Sequence, residues 1–165
     1  MPVQFQDFSF SVKAALNDTT VAWLYETANE VASQARSNCQ LDDESGGKQL
    51  SGSYATKVDG GKGEAKVGSP LESAYWEEWG TGEYAAHGDG RKGWWIYIPG
   101  QASMGGGQTY QSREEAEKMA AYIRAVHKKS AVVTNGRPPN YTLEKAFKKV
   151  APKAKANLAE KLKGL

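Results

Sequence analysis

The sequence holds one cysteine, Cys39, and two histidines, His87 and His127. An intramolecular disulfide and a cysteine metal cage are therefore excluded, and histidine-dependent chemistry has only two candidates. Long apolar runs are missing too, none approaching the ~20 residues that span a bilayer. The Met1-Pro2-Val3-Gln4 start has no basic segment followed by an apolar core. The expectation is a chain that is neither membrane-spanning nor exported by a standard signal, suited to a reducing cytoplasm. Nor is there an excess of one charge: 21 Lys and Arg stand against 19 Asp and Glu, a net +2, so an electrostatic partner must be met by a local patch. What is present, 165 residues with 39% apolar and 24% charged, suits one ordinary globular domain over 1–165.

Residues 3–12 alternate imperfectly, slipping at Asp7, and read as a bulged strand. From Thr19 to Cys39, the residues Val21, Leu24, Ala28, Val31 and Ala35 recur at spacings of three and four, which predicts a long helix, with Trp23 and Tyr25 off its stripe. The polar residues 42–49 read as a loop. Leu50 to Val58, a turn at Asp59–Gly63 and Glu64 to Val67 then read as a hairpin. Ala74 to Trp79 reads as a further strand, Gly80 to Gly93 as a glycine-rich loop, and Trp94 to Ile98 as a β-prone run stopped by Pro99-Gly100.

Ser112 and Glu115 form a capping box that opens a helix with the stripe Ala116, Met119, Ala120, Ile123 and Val126; its acidic start and basic end match the helix dipole. Ala131 to Thr134 reads as a short strand, Asn135-Gly136 as a turn, and Pro138-Pro139-Asn140 as the lead into a last helix that Pro152 should kink or break. No strict strand-helix-strand rhythm appears. The expected class is α+β: a single mainly antiparallel sheet packed by a long N-terminal and a C-terminal helix, with an inserted helix in a peripheral lobe at 100–130 and a basic helix at 152–165.

Gly88-Asp89-Gly90-Arg91-Lys92-Gly93 fits a dinucleotide fingerprint in letters only, because a strand and not a helix is expected to follow it. Lys beside Gly at Gly46-Gly47-Lys48 and within Gly60–Lys66 lacks phosphate-loop spacing. His87 in the glycine loop has no oriented partner in sequence, His127 suits a helix C-terminus, and Cys39 reads as a packed residue. Glu77 and Glu78, on a strand, would point to opposite faces, so a carboxylate dyad is disfavoured and Glu78 is expected to accept structural hydrogen bonds from backbone or Arg donors. No catalytic residue, cofactor or metal ligand emerges.

Tryptophans 23, 76, 79, 94 and 95 suggest rings turned partly inward and partly toward a partner. Residues 137–165 carry eight Lys or Arg against Glu144 and Glu160, a local +6 that leaves −4 elsewhere. Among them Lys145, Lys148, Lys149, Lys153 and Lys155 are candidates to face DNA or an acidic surface, with a solvated helix face as the plainer account.

The block Ala74-Tyr75-Trp76-Glu77-Glu78-Trp79-Gly80-Thr81-Gly82 resembles the signature of the tail-completion or neck proteins of tailed bacteriophages, often labelled tail-component or minor capsid proteins. Leu50-x-x-Ser53, Lys66-Val67-Gly68, Gly88 to Tyr97, and Thr134-Asn135-Gly136-Arg137-Pro138-Pro139-Asn140 leading to Leu143, Ala146 and Phe147 are similar to further stations of that family in the same order. The resemblance covers about residues 17–150; the loop Asp43-Glu44-Ser45-Gly46-Gly47 departs from it, and residues 100–129 exceed it.

The likeness implies a non-enzymatic virion protein of the neck, assembled in the host cytoplasm as a ring of copies. It further implies contact with a head-completion or connector protein on one side and a tail terminator or tube protein on the other, non-specific contact with DNA in the channel, and no membrane partner. Its assembly interface would include Trp76, Glu78, Trp79, Gly80, Thr81, Gly82, Trp94, Trp95 and Tyr97. A small carbohydrate- or peptide-binding module gripping its ligand with Trp94, Trp95 and Tyr97 is the rival expectation, and a hydrolase using His87 is a more distant one.

Overall fold

The computed structural model describes residues 18–40, 47–99 and 108–163. The strand expected over 3–12 lies outside them, as do most of the loop at 42–49 and residues 100–107. The chain is α+β, dominated by two long helices, α1 (Asp18–Asn38) and α5 (Thr142–Lys163). They run antiparallel, since Glu26 and Glu30 of α1 meet Lys161 and Lys153 of α5 while Asn38 Nδ2 donates to the Thr142 carbonyl at the other end. Small residues line the contact, Ala28, Val31, Ala32 and Ala35 against Ala146, Val150 and Ala154, which lets the backbones approach but removes little apolar area per residue. Trp23 compensates. It is buried against α5, with its indole nitrogen donating to the Ala154 carbonyl at 3.0 Å, whereas Tyr25 is exposed.

α5 runs through Pro152 without interruption, against the expectation of a break. The proline is exposed and the helix is fastened to α1 before it, through Thr142, and after it, through Lys153, Ala154 and Lys161, so tertiary packing outweighs the lost backbone donor.

Two segments expected to be strands are helices. Gly47–Ser53 forms α2, so Leu50 enters the core from a short helix and the first strand, β1 (Ala55–Asp59), begins only after buried Tyr54. β1 pairs with β2 (Glu64–Gly68) as the predicted hairpin, covered by α1. Ala74 to Trp79 belongs to α3 (Glu72–Trp79). Its aromatics favour strands locally, but Ser69 and Leu71 arrest the chain before it, and both glutamates bury themselves only if the segment turns.

The antiparallel pairing expected of one sheet is divided, among the described residues, into three two-stranded ladders. β3 (Thr81–Gly82) pairs with β6 (Gly136–Arg137), and β4 (Trp95–Tyr97) pairs with β5 (Val132–Thr134). Trp94 adds an isolated bridge to Tyr110. Between β4 and β5 lies α4 (Arg113–His127), capped as predicted by Ser112, whose hydroxyl accepts from Glu115 N–H at 3.2 Å. Its buried face holds only Ala116 and Ala120; Met119 and Val126, expected on that face, are exposed.

Candidate functional site

α3 ends at Gly80, where φ is +75° and a Cβ would lie 2.7 Å from the Arg137 carbonyl oxygen, so only glycine fits. The turn sends the chain straight into β3, whose Gly82 faces Gly136 of β6 across the ladder; a side chain on Gly82 would collide with the Asn135 carbonyl and the Trp95 ring. Thr81 Oγ1 accepts from Arg137 N–H at 3.0 Å, Glu83 N–H donates to Asn135 O at 2.9 Å, and Asn135 Nδ2 donates to Glu83 Oε2 at 3.0 Å. Residues 81–83 and 135–137 are thus zipped together.

One turn earlier on α3, helical geometry sets Glu77 and Glu78 about 100° apart, so both reach the base of α5. This replaces the opposite-faces reading. Glu78, 1% exposed, accepts from Leu143 N–H at 2.7 Å and from Glu144 N–H at 3.0 Å. It therefore caps α5 from another helix, at the end where the dipole favours an anion. Burial nevertheless pushes its carboxyl above the ordinary carboxylate range, outweighing the two N–H bonds that pull it down.

Glu77, 2% exposed, accepts from Gln40 N–H and from Asn140 Nδ2, both at 2.8 Å, through Oε1. Its Oε2 makes no hydrogen bond and lies 3.5 Å from Arg137 Nη1, a charge contact without donor alignment. Asn140 also reaches Asn38 O and Thr142 Oγ1, and its own N–H donates to Glu77 O. Tyr54 is buried nearby, and desolvation, with Cys39 and both glutamates adding repulsion, raises its phenol well above the ordinary range.

Asn38 and Thr142 were not singled out by sequence reasoning; Glu77 was weighed only as half of a carboxylate pair on a strand and Asn140 only as part of the lead into the last helix, and a helical reading of 74–79 was the signal that would have brought Glu77 to the base of α5. The two carboxylates are tied to backbone and amide donors rather than aimed into a cleft, which makes them fasteners. Comparison of the chain with known protein families, curated sequences and solved structures finds no match.

Around this interlock sits an aromatic rim. Trp76 is 41% exposed, edge-on to Tyr75. Trp79 is half-buried between His87, 4.6 Å away, and Tyr141. Trp94 and Trp95 do not alternate as one inward and one outward ring. Both are half-buried, each beneath a guanidinium, Arg113 at 5.8 Å and Arg91 at 5.2 Å. Each cation covers one face of its ring, so that face is not open to a stacked sugar. Tyr97 and Tyr84 are exposed.

Thus Glu78, Gly80, Thr81 and Gly82 come together within the interlock, Trp79 and Trp95 flank it, and Trp76 and Tyr97 face outward. The Gly88–Gly93 loop leads into β4, so the dinucleotide fingerprint has no following helix. Among the described residues no group of three His, Cys, Asp or Glu is placed to hold a metal, and no helix is long and apolar enough to cross a membrane.

The lysine run is largely engaged at home. Lys145 donates to Asn140, Lys148 pairs with Glu144 and Lys153 with Glu30. Lys149 and Lys155 make no ion pair among the described residues. That pattern favours the solvated-face account over a dedicated phosphate track.

Proposed function

We propose that this chain is a structural subunit of the neck of a tailed bacteriophage, a ring-forming tail-completion component that joins the tail to the DNA-filled head. The observation that carries the reading is the interlock: the two sequence blocks on which the resemblance rests, Glu77 to Gly82 and Thr134 to Asn140, are each other's partners. Two stretches more than fifty residues apart that resemble one family in order are expected to meet if they belong to one structural unit. Carboxylates occupied in fastening, with exposed Trp76 and Tyr97 beside them, suit a docking subunit better than a reaction centre.

In this reading the neighbours are further copies of the chain, a head-completion or connector protein, and a tail terminator or tube protein; the virion neck is the location. The test is electron microscopy of particles made by the encoding virus with this gene interrupted. Full heads and separate, unattached tails, rejoined when the purified chain is added, are the expected result. Complete virions without it would overturn the proposal.

A further inference from the structure

Of the six asparagines in the sequence, Asn135 is the one followed by glycine. Side-chain amides of asparagine are chemically labile, most of all in this setting, where no side chain shields the following backbone nitrogen. The fold requires both residues for other reasons. Gly136, at φ +130°, lies so close to β3 that a Cβ would stand 2.1 Å from the Thr81 carbonyl oxygen. Asn135 Nδ2 donates to Glu83 Oε2 at 3.0 Å, and the Asn135 carbonyl accepts from Glu83 N–H at 2.9 Å. The β3–β6 ladder thus demands the glycine and the amide side by side.

In the conversion open to such a pair, the Gly136 nitrogen bonds to Asn135 Cγ, the Cγ–Nδ2 bond breaks, and Nδ2 leaves as ammonia with the proton that the Gly136 nitrogen gives up. Water then opens the succinimide, leaving aspartate when it attacks Cγ and isoaspartate when it attacks the main-chain carbonyl. Each group that must move is held in the closed ladder. The leaving Nδ2 is tied to Glu83. The attacking nitrogen donates its proton to Thr134 Oγ1 at 3.0 Å, and the same hydroxyl donates to the Gly136 carbonyl at 3.2 Å.

We propose that Asn135 is a self-modifying site gated by the interlock: while β3 and β6 are paired the amide persists, and each opening of the ladder exposes it to a one-way conversion. The rate is then set by a local opening equilibrium, as it is for amide hydrogen exchange. The product does not fit the place that the amide left. A carboxylate at position 135 offers Glu83 Oε2 no donor and sets a second negative charge against it. Isoaspartate also adds a carbon to the main chain ahead of Gly136, which moves residues 136 and 137 off their partners Gly82 and Thr81. A converted chain stays open at this seam, whatever it assembles with, so the proposal does not rest on the neck reading.

The test is incubation of the full chain in mildly alkaline buffer, with peptide mass spectrometry following position 135 and isoaspartyl methyltransferase labelling separating the two products. Conversion in the folded parent should be at least about tenfold slower than in the urea-unfolded parent, and should accelerate with urea below the unfolding midpoint. Glu83 is exposed, so Glu83→Ala should remain folded by circular dichroism while releasing Nδ2, and should convert about three- to tenfold faster than the folded parent. Asn135→Asp should speed hydrogen exchange at the Glu83 and Arg137 amides at least about tenfold. Adding Glu83→Gln exchanges amide and carboxylate across the seam and should bring that exchange back to within about threefold of the parent. Equal conversion in folded and unfolded chains, a Glu83→Ala rate no higher than the parent's, or a double variant that exchanges as fast as Asn135→Asp alone would overturn the proposal.

Discussion

Replacing Glu78 by Ala removes a buried acceptor that serves two backbone donors at the start of α5. Hydrogen bonds to a charged group contribute about 1.5–3 kcal/mol each, and loss of a helix cap alone costs about 0.5–2 kcal/mol. Against this stands the relief of no longer burying a carboxylate, the same desolvation that raises the protonation equilibrium of Glu78. The net is a loss of about 3 kcal/mol, which for a chain of this size lowers the melting temperature by about 6–12 °C. Urea unfolding followed by circular dichroism gives the free energy. Hydrogen exchange at Leu143 and Glu144 gives the location, since those two amides should lose protection before the rest of α5. Glu144→Ala, which removes only the half-exposed pair with Lys148, is the control and should cost less than about 1 kcal/mol. A Glu78→Ala variant no less stable than that control would refute the capping argument.

Acid behaviour follows from the same side chain. Because the folded-state value of Glu78 lies above the ordinary 4.5, the folded chain holds its proton longer than the unfolded one, so this contribution is present below the unfolded value and is lost as pH rises through the folded value. Stability of the parent minus that of Glu78→Gln should therefore fall with rising pH in the acid range; a flat or rising difference would contradict it. Gly82→Ala, with φ at +61° and the Asn135 carbonyl in the way, should cost at least about 3 kcal/mol, whereas Gly88→Ala, with φ at +71° but open space, should cost about 1–2 kcal/mol; equal losses in thermal melts would refute the interlock. Pro152→Ala restores a helical donor at an exposed site and should stabilise by about 1–3 kcal/mol, read as a higher melting temperature. Duplex DNA should bind weakly, with a log–log salt slope no steeper than about −2, because Lys149 and Lys155 alone of the five candidate lysines are uncommitted; a slope near −5 in fluorescence titrations would show that the intramolecular pairs open.

Much of the helical frame was legible because its signals are local. The three-and-four spacing of α1, the Ser112 cap of α4 and the Pro-Pro-Asn lead into α5 all depend on neighbours in sequence. α3 was not legible for the opposite reason. Tyr75, Trp76 and Trp79 carry the local preference of a strand, and the helix is stabilised by what Glu77 and Glu78 find on residues 140–144, sixty positions away. α2 is similar: Leu50 and Ser53 read as the start of a strand, yet burial of Leu50 and the Ser53–Ser69 hydroxyl contact hold a turn there. The misreading of α3 then propagated to the site, since period-two parity separated two carboxylates that helical geometry sets side by side.

The same geometry divides the residues that carry the resemblance by what each does. Glu78, Gly80, Thr81 and Gly82 face the chain itself: a substitution there breaks the fold, and a loss of assembly would follow whatever surface assembly uses. Trp76 and Tyr97 are 41% and 38% exposed, so each packs one part of its ring against the chain and leaves another part free for docking. Trp76→Ala and Tyr97→Ala should each cost about 1–2 kcal/mol and leave the chain folded. If the rim is the docking surface, purified protein carrying both should nevertheless fail to rejoin heads and tails. Rejoining at the parental rate would mean that the rim is not the contact, and the interlock would then have to be understood as scaffolding for some other face.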